Sequence, residues 1–311
     1  MRILKKLTAA CLGLGVFLTA LPAAADTNVD VLGQFLEQNF NTPQQDALGQ
    51  FLDRSGQVEA QAAVAGPLLA SQAALIMNNR TGEILYQKNM HRVMPVASIS
   101  KVMSAMVILD ARLNMNEPIT ITEAEIDRLK GTGSRLSIGT TLTRAQMLHL
   151  SLMSSENRAT AALGRTYPGG MGAFVAAMNR KAQSLGMHSS RFYEPTGLDY
   201  RNVSTAGDLA KMVAAASQYP LIRSNSTSNT ASVYTANGSL QQYRNSNALV
   251  REGWDIEMQK TGYIRESGRS MVVKANVNRQ PVTIVLLNSP TSATRVNDAR
   301  SIESWMIQRP S

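Results

Sequence analysis

The sequence contains little of the side-chain chemistry on which thiol enzymes and metalloenzymes depend. It has one cysteine, Cys11, and only three histidines, which lie far apart at His91, His149 and His188. Neither an H-E-x-x-H nor a G-x-S-x-G pattern is present, so a zinc site and a histidine triad have no support. We therefore expect no metal and no cofactor, and cysteine catalysis is excluded for the chain after Cys11.

Long apolar runs are also absent, except for one close to the N-terminus. Three basic residues precede the apolar stretch 7–21, and Ala23-Ala24-Ala25 forms an A-x-A cleavage site before Asp26. This arrangement predicts a secretory signal peptide over residues 1–25 and a periplasmic protein, with an uncleaved N-terminal anchor as the alternative. Because Cys11 lies inside the signal, we expect the exported chain to fold without disulfides.

Acidic residues are fewer than basic ones, which gives the chain a formal net charge of +9. No basic run typical of nucleic-acid binding is present, so we expect no nucleic acid partner. The charge suits peripheral association with an anionic wall polymer or a membrane surface, although solubility alone would also explain it.

The 311 residues are 44% hydrophobic, which is enough for one large domain with its own core. Residues 26–70 are rich in Gln, Ala and Asn, and the stretch Leu32-Gly33-Gln34-Phe35-Leu36 returns as Leu48-Gly49-Gln50-Phe51-Leu52. We interpret 26–70 as a linker or a short helical arm, and 71–311 as the main domain.

Strand patterns occur at both ends of this domain, with helical patterns between them. Residues 73–78 and 83–87 predict a hairpin around Asn79-Arg80-Thr81-Gly82, and 256–264, 270–277 and 282–287 predict three late strands. Helices are predicted over 98–113, after the capping box Thr143-Arg144-Ala145-Gln146, over 174–185, after Thr205, and over 296–307. Residues 223–247 are expected to be loop-like or weakly paired. The order predicts an α/β (α+β) fold, with an antiparallel sheet whose first and last parts pair, helices that flank the sheet, and an inserted all-α lobe.

The first candidate for chemistry is Ser98-Ile99-Ser100-Lys101, a turn that leads into an amphipathic helix. Side chains three residues apart share a helical face, so the Ser98 hydroxyl and the Lys101 amine can meet. The helix N-terminus also places backbone N–H groups where an oxyanion would develop. A lone S-x-x-K is more often a capped helix with a surface lysine, so the rest of the chain must decide.

Two further motifs follow, each occurring once. Ser155-Glu156-Asn157 lies at a predicted helix break, and Lys260-Thr261-Gly262 lies inside a predicted strand. The three motifs, in this order and on helix, loop and strand, form the set found in penicillin-binding proteins and class A β-lactamases. From about Ser71 to its C-terminus, the sequence resembles the low-molecular-mass penicillin-binding proteins, the D-alanyl-D-alanine peptidases of peptidoglycan.

Other segments extend the resemblance: Glu194-Pro195-Thr196-Gly197-Leu198, Ser204-Thr205-Ala206 with Asp208, and Asn245-Ser246-Asn247. The chain looks closest to the endopeptidase branch because it ends soon after Gly262, whereas carboxypeptidase relatives usually continue into a second β-rich domain and an amphipathic anchor. The resemblance implies a β-lactamase/transpeptidase-like fold. It also implies peptidoglycan stem peptides as substrates and β-lactams as covalent inhibitors.

The resemblance also implies a role for each residue of the first two motifs. Ser98 would attack the carbonyl carbon of the penultimate D-alanine and form an acyl-enzyme, with Lys101 as the base. Ser155 would relay the proton to the leaving nitrogen, and Asn157 would hold Lys101 and the substrate amide. A neutral Lys101 requires a pKa below the usual value of about 10.4. We expect burial beside Lys260 to lower it.

The third motif is expected to bind the substrate. Lys260 and Thr261 would orient its polar end, and Gly262 would let its backbone lie against the strand. By similarity, the backbone N–H groups of Ser98 and Tyr263 would form the oxyanion hole.

Three alternatives remain open at this stage. A D-alanyl-D-alanine carboxypeptidase would use the same machinery with a different leaving group. A serine β-lactamase of class A needs an E-x-x-L-N segment, but after Glu194 that pattern fails by one residue and lacks the asparagine, so we interpret Glu194 as structural. A non-catalytic penicillin- or wall-binding module is disfavoured by the three intact motifs. Arg279 could meet a substrate carboxylate, but we expect an exposed turn residue.

Overall fold

The computed structural model describes residues 66–309. The predicted signal peptide and residues 26–65 of the predicted linker lie outside the described residues. The strands are β1 (Ala73–Asn78), β2 (Ile84–Lys88), β3 (Met94–Pro95), β4 (Pro118–Thr120), β5 (Thr141–Thr143), β6 (Val203–Ser204), β7 (Thr230–Tyr234), β8 (Leu240–Arg244), β9 (Ile256–Ile264), β10 (Gly268–Val277) and β11 (Gln280–Ser289). The helices are α1 (Ser100–Asp110), α2 (Arg144–Met153), α3 (Asn157–Arg165), α4 (Gly170–Ser184), α5 (Ala206–Ala216), α6 (Pro220–Thr227), α7 (Ala248–Arg251) and α8 (Ser292–Gln308).

The main sheet joins the two ends of the domain. Its five strands lie in the order β2-β1-β11-β10-β9, and all neighbours are antiparallel. β1 pairs with β11 from Ala73 opposite Leu287 to Asn78 opposite Val282. This confirms the predicted pairing of the first and last strands. It also makes β9, which carries Lys260, an edge strand of this sheet.

The strands bury side chains on both faces because the sheet lies between two layers. Leu75 and Val285 belong to the larger core beneath the inserted helices, whereas Ile76 and Ile284 belong to a smaller core beneath α8. The Asp298 carboxylate of α8 accepts hydrogen bonds from the backbone N–H groups of Ala70 and Ser71, both at 2.8 Å. The start of the sheet is thereby fixed to the last helix.

Helix α1 differs from its prediction in a way that matters for the site. The sequence predicted an amphipathic helix from Ser98 to about Leu113, but α1 runs from Ser100 to Asp110 and is buried on every side from Ser100 to Ile108. The prediction of an exposed face was wrong because α1 packs against α2, α4 and α5 at once. Small or flexible residues such as Ser104, Ala105 and Met106 let those helices approach closely.

Two other predictions from local sequence patterns can be compared with the structure. The capping box at Thr143 is confirmed, since its hydroxyl accepts a hydrogen bond from the Gln146 N–H and the Gln146 side chain binds back. Residues 223–247, which were expected to be loop-like or weakly paired, contain the end of α6 and the two-stranded hairpin β7–β8. Within residues 66–309, no helix combines the length and hydropathy needed to span a bilayer.

Candidate active site

Ser98 lies in a tight turn that the surrounding backbone holds in place. The turn Ala97–Ile99 is a single 3-10 turn directly before α1, so Ser98 precedes the helix by two residues. Ala97 has a φ of 47°, a conformation that costs a non-glycine residue energy and persists only where neighbours enforce it. The neighbours are the Ser100 hydroxyl, which donates to the Ala97 carbonyl at 2.9 Å, and Gly197, which packs against that carbonyl.

Lys101 joins three parts of the chain at one amine. Its Nζ lies 2.8 Å from Ser98 Oγ, 2.8 Å from Asn157 Oδ1 and 2.7 Å from the Thr196 carbonyl oxygen. The predicted meeting of Ser98 and Lys101 is therefore confirmed. Lys101 has no exposed surface.

The partners of Lys101 differ in what they can do. The Asn157 Oδ1 and the Thr196 carbonyl oxygen only accept hydrogen bonds, whereas the Ser98 hydroxyl accepts or donates. A neutral amine has two N–H groups and one lone pair. When the two fixed acceptors bind both N–H groups, the lone pair faces Ser98, which is the arrangement that a general base needs.

Burial brings the pKa of Lys101 down to about 8, and Glu194 and Glu156 oppose this shift through their negative charges. The direction agrees with the requirement for a neutral amine. The sequence predicted burial beside Lys260 as the cause. Burial is the dominant cause, because Lys101 loses its water, but the charges that act on it are those of Glu194 and Glu156 rather than that of Lys260.

The second motif lies where the sequence placed a helix break, between α2 and α3. Ser155 is half-buried with a φ of 64°, and Glu156 forms the N-cap of α3 by accepting a hydrogen bond from the Arg158 N–H. Asn157 is the first residue of α3 and uses both ends of its amide. Its Oδ1 accepts from Lys101, and its Nδ2 donates to Thr132 Oγ1 at 3.2 Å.

The third motif lies in the middle of β9. Lys260 is completely buried, and its Nζ donates to the Thr261 carbonyl at 2.8 Å. The Thr261 hydroxyl pairs with the hydroxyl of Ser246 at 2.8 Å. The pKa of Lys260 lies well below its usual value because of burial and, after that, because of the positive charges of Lys101 and Arg295.

Gly262 is the residue of β9 that comes closest to the turn Ala97–Ile99, which holds Ser98. A Cβ on Gly262 would lie 3.0 Å from both the Ser98 nitrogen and the Val96 carbonyl oxygen. Glycine permits this approach without displacing β9 or the turn, whereas a side chain would force a shift of a few tenths of an ångström. The approach brings the next residue on the strand, Tyr263, beside the Ser98 backbone. Tyr263 is 49% exposed, and the Arg269 guanidinium lies 3.4 Å from its ring centroid.

Three groups in this region carry no motif and were missed. The Thr196 carbonyl contributes a backbone atom, so no residue type signals it. Thr132 belongs to Lys130-Gly131-Thr132-Gly133, a segment that resembles Lys260-Thr261-Gly262 only superficially. Arg295 donates to the carbonyl of Ser270, the residue opposite Gly262 on β10, at 3.2 Å. It is 6% exposed, and burial lowers its pKa to about 10, helped by Arg269.

Glu194 is structural, as the sequence indicated. Its carboxylate accepts hydrogen bonds from the backbone N–H groups of Thr196, Gly197 and Asp199 and from the Asn202 amide. These bonds fold the segment so that the Thr196 carbonyl points at Lys101. Beside this segment lies a cavity of about 400 Å³ that reaches Asn157 and Thr196 and is lined otherwise by the 123–129 stretch, Ala161, Met171, Glu194, Pro195 and Leu198.

Comparison with known proteins identifies relatives for most of the chain. A family model described as D-alanyl-D-alanine carboxypeptidase matches residues 59–291. The D-alanyl-D-alanine endopeptidase of Pseudomonas aeruginosa is 43% identical over 241 residues, which are 76% of this chain and 77% of the relative. The D-alanyl-D-alanine endopeptidase of Escherichia coli is 42% identical over 242 residues, which are 77% of this chain and 78% of the relative.

The fold has a counterpart among solved structures. The crystal structure of the DD-transpeptidase of Streptomyces strain K15 superposes with a TM-score of 0.73 at 26% sequence identity. The superposition covers 79% of this chain and the whole of that one. The antiparallel sheet with its inserted helices is therefore a penicillin-binding, transpeptidase-type fold.

Proposed function

The chain belongs to the D-alanyl-D-alanine carboxypeptidase family, and on that premise we propose that it is a D-alanyl-D-alanine endopeptidase that opens peptidoglycan cross-links. Membership makes it a serine-type hydrolase of D-alanyl-D-alanine peptides. The endopeptidase assignment is supported by the relatives that are 42% and 43% identical to it, both of which carry that name.

The observation that carries the proposed mechanism is the contact between Lys101 Nζ and Ser98 Oγ at 2.8 Å, with Asn157 Oδ1 and the Thr196 carbonyl on the remaining N–H groups. Ser98 Oγ attacks the carbonyl carbon of the D-alanine residue at the cross-link while its proton passes to Lys101. The backbone N–H groups of Ser98 and Tyr263 receive the oxyanion, which Gly262 allows to lie against β9.

The remaining steps complete the transfer. The C–N bond breaks, and the proton on Lys101 reaches the leaving amine through the Ser155 hydroxyl. A water molecule then attacks the carbonyl carbon of the acyl-enzyme while Lys101 takes its proton. The C–O bond to Ser98 breaks, Lys101 returns the proton to Ser98 Oγ, and the product leaves as a carboxylic acid that ionises. Asn157 holds the amine and the substrate amide in register. Penicillin would acylate Ser98 by the same attack, with the β-lactam C–N bond as the one that breaks.

The polar end of the substrate would lie at Lys260, Thr261 and Arg295. Lys260, in the middle of β9, and Arg295, on α8, are both buried without an ion-pair partner among residues 66–309. Burial is the main cause that lowers the pKa of each. A bound substrate carboxylate would supply the missing negative charge. Binding would then raise the pKa of Lys260.

A carboxypeptidase activity is the second candidate, and the description of the matching family model favours it. Both reactions pass through the same acyl-enzyme, and they differ only in the leaving amine: a free D-alanine or the amino group of a second stem peptide. A periplasmic location, reached by the signal peptide predicted over residues 1–25, and contact with the wall or membrane surface through the basic charge belong to the same proposal.

One comparison of substrates tests this proposal. The exported protein is incubated with a purified cross-linked muropeptide dimer and, separately, with a free pentapeptide, and the products are identified by mass. An endopeptidase converts the dimer to two monomers faster than it removes a terminal D-alanine. Preferred release of D-alanine from the pentapeptide would instead establish the carboxypeptidase.

A further inference from the structure

The loop that follows Glu123–Glu125 contains a hydrogen-bonded chain that leads to the catalytic amine. Asp127 Oδ2 accepts the Thr132 hydroxyl proton at 2.7 Å, and Thr132 Oγ1 accepts a proton from Asn157 Nδ2 at 3.2 Å. Asn157 Oδ1 in turn accepts from Lys101 Nζ at 2.8 Å. From these contacts we propose that Thr132, oriented by Asp127, is a positioning residue that fixes the orientation of the Asn157 amide and so directs the Lys101 lone pair to Ser98. This inference rests on the proposed role of Lys101 as the base for Ser98.

The direction of the chain follows from its first member. A carboxylate accepts hydrogen bonds and donates none, so the single hydroxyl proton of Thr132 is used on Asp127. The Thr132 oxygen can then only accept, and the amide group that faces it must be Nδ2. Since the other end of the same amide faces Lys101, Oδ1 is placed on the amine.

Asp127 is suited to remain a carboxylate. Burial alone would raise its pKa, but hydrogen bonds from the Thr132 hydroxyl and from the backbone N–H groups of Lys130, Thr132 and Leu129 outweigh burial and lower it. The same bonds close the loop into a tight turn.

Lys130 also forms an ion pair with Glu266 in the turn between β9 and β10, so the loop is connected to both walls of the cleft.

A flipped Asn157 amide would disable the base. Its Nδ2 would then point at Lys101, and a neutral amine would have to use its lone pair to accept that proton, which turns the lone pair away from Ser98. Thr132 is exposed in the free protein, so water replaces its hydroxyl when the side chain is changed. Water donates and accepts equally well, and therefore it does not select one orientation of the amide.

The charged groups around Lys101 are Glu194, Glu156 and, on the strand side, Lys260. None of them contacts the Asn157 amide. A change of its orientation therefore alters the pKa of Lys101 without altering these charges. Losing the Oδ1 acceptor destabilises the protonated amine, because that amine needs three acceptors, and the pKa of Lys101 falls further.

The test is the rate of acylation by a fluorescent penicillin, measured from pH 6 to pH 10 for four variants beside the wild type. Thr132→Val removes the hydroxyl and keeps the shape, and Thr132→Ser restores the hydroxyl. Asp127→Asn places a carboxamide beside Thr132. Because a carboxamide can donate as well as accept, the direction of the hydrogen bonds from Asn157 through Thr132 is no longer fixed. Thr120→Val is the matched control. Like Thr132, Thr120 is exposed and its hydroxyl is hydrogen-bonded, in this case to the Thr141 hydroxyl at 2.8 Å, but it has no connection to Lys101 through Asn157.

We expect Thr132→Val and Asp127→Asn to lower the maximal acylation rate roughly 10- to 100-fold and to move the rising limb of the pH profile to lower pH. Thr132→Ser, which keeps the hydroxyl, should have the wild-type rate and the wild-type pH limb. Thr120→Val should change neither the rate nor the limb. A wild-type rate and pH limb in both Thr132→Val and Asp127→Asn would overturn the inference, as would a loss of rate without any displacement of the limb. If the wild type itself is not acylated, or if Ser98→Ala is acylated, the proposed function fails instead.

Discussion

Lys101 and Lys260, two lysines without exposed surface, lie on facing elements of one cleft, and the charge of Lys101 lowers the pKa of Lys260. Among residues 66–309, Lys101 has three hydrogen-bond partners for its amine, whereas Lys260 has one, the Thr261 carbonyl. Two buried amines without a carboxylate in contact are expensive for the folded state, since each loses its water and repels the other. The arrangement is explained by function rather than by stability.

Replacing the less well-bonded lysine should therefore stabilise the protein while it removes activity. We expect Lys260→Met to increase the free energy of unfolding by roughly 1 kcal/mol or more at pH 7, which corresponds to about 2–4 °C in Tm, and to abolish peptide turnover. The gain should shrink as the pH approaches 10.5. Because the folded-state pKa of Lys260 lies below the unfolded value, the unfolded chain binds the extra proton in that window, and wild-type stability rises with pH.

The control for this experiment is Lys274→Met on the neighbouring strand β10. Lys274 is only 17% exposed but is paired with Glu257 at 3.1 Å and with the Ser217 hydroxyl at 3.1 Å. Its replacement should leave Tm unchanged or lower it. Thermal melts of both variants between pH 6 and pH 10 provide the comparison, and a Lys260→Met protein that melts below the wild type would contradict the account.

The rate of acylation should follow the deprotonation of Lys101. Its pKa of about 8 predicts a rate that increases with pH up to about pH 8 and levels off above it, since only the neutral amine accepts the Ser98 proton. Lys101→Arg should not be acylated at any pH, because a guanidinium stays protonated throughout this range. A fluorescent penicillin followed by gel densitometry gives both profiles, and a rate independent of pH between 6 and 9 would rule out this base.

A methyl group on Gly262 should damage the nucleophile turn without unfolding the domain. The new Cβ would lie 3.0 Å from the Ser98 nitrogen and 3.2 Å from the Ala97 Cβ, so β9 or the turn must shift by a few tenths of an ångström. We expect Gly262→Ala to reduce acylation roughly 100-fold, because the oxyanion donors and the attacking hydroxyl are displaced together.

Gly172→Ala is the control that separates the effect of the close contact from the effect of replacing a glycine by alanine. Gly172 lies in α4 with nothing within 4 Å of its added Cβ, so Gly172→Ala should keep full acylation and gain up to about 1 kcal/mol of helix stability. Equal acylation rates for the two variants, measured as second-order rate constants with penicillin, would show that the close approach of Gly262 is unimportant.

The sequence was sufficient for the pairing of the sheet, and its motifs named the side chains whose residue type matters to the proposed chemistry. The pairing of β1 with β11 followed from strand patterns at both ends of the domain, and the motifs supplied Ser98, Lys101, Ser155, Asn157 and Lys260. The exposed face predicted for α1 was wrong. Its burial on all sides depends on three other helices, and the sequence of α1 does not predict where those helices lie.

The missed groups show the same limit at the site. Thr196 acts through its carbonyl, and Thr132 through one hydroxyl, and their contacts depend on how Glu194 and Asp127 fold their loops. Arg295 reaches the Ser270 carbonyl on β10 because α8 packs on that face of the sheet. Neither a backbone atom nor a contact across elements leaves a periodic signal in the sequence.

In the proposed mechanism, Ser98 is the nucleophile and Lys101 activates it. The most direct measurement is to incubate the wild type, Ser98→Ala and Ser100→Ala with a penicillin, digest each protein, and locate the adduct by mass spectrometry. We expect one adduct on Ser98 in the wild type and in Ser100→Ala, and none in Ser98→Ala. An adduct on any other residue, or one that persists in Ser98→Ala, would contradict it.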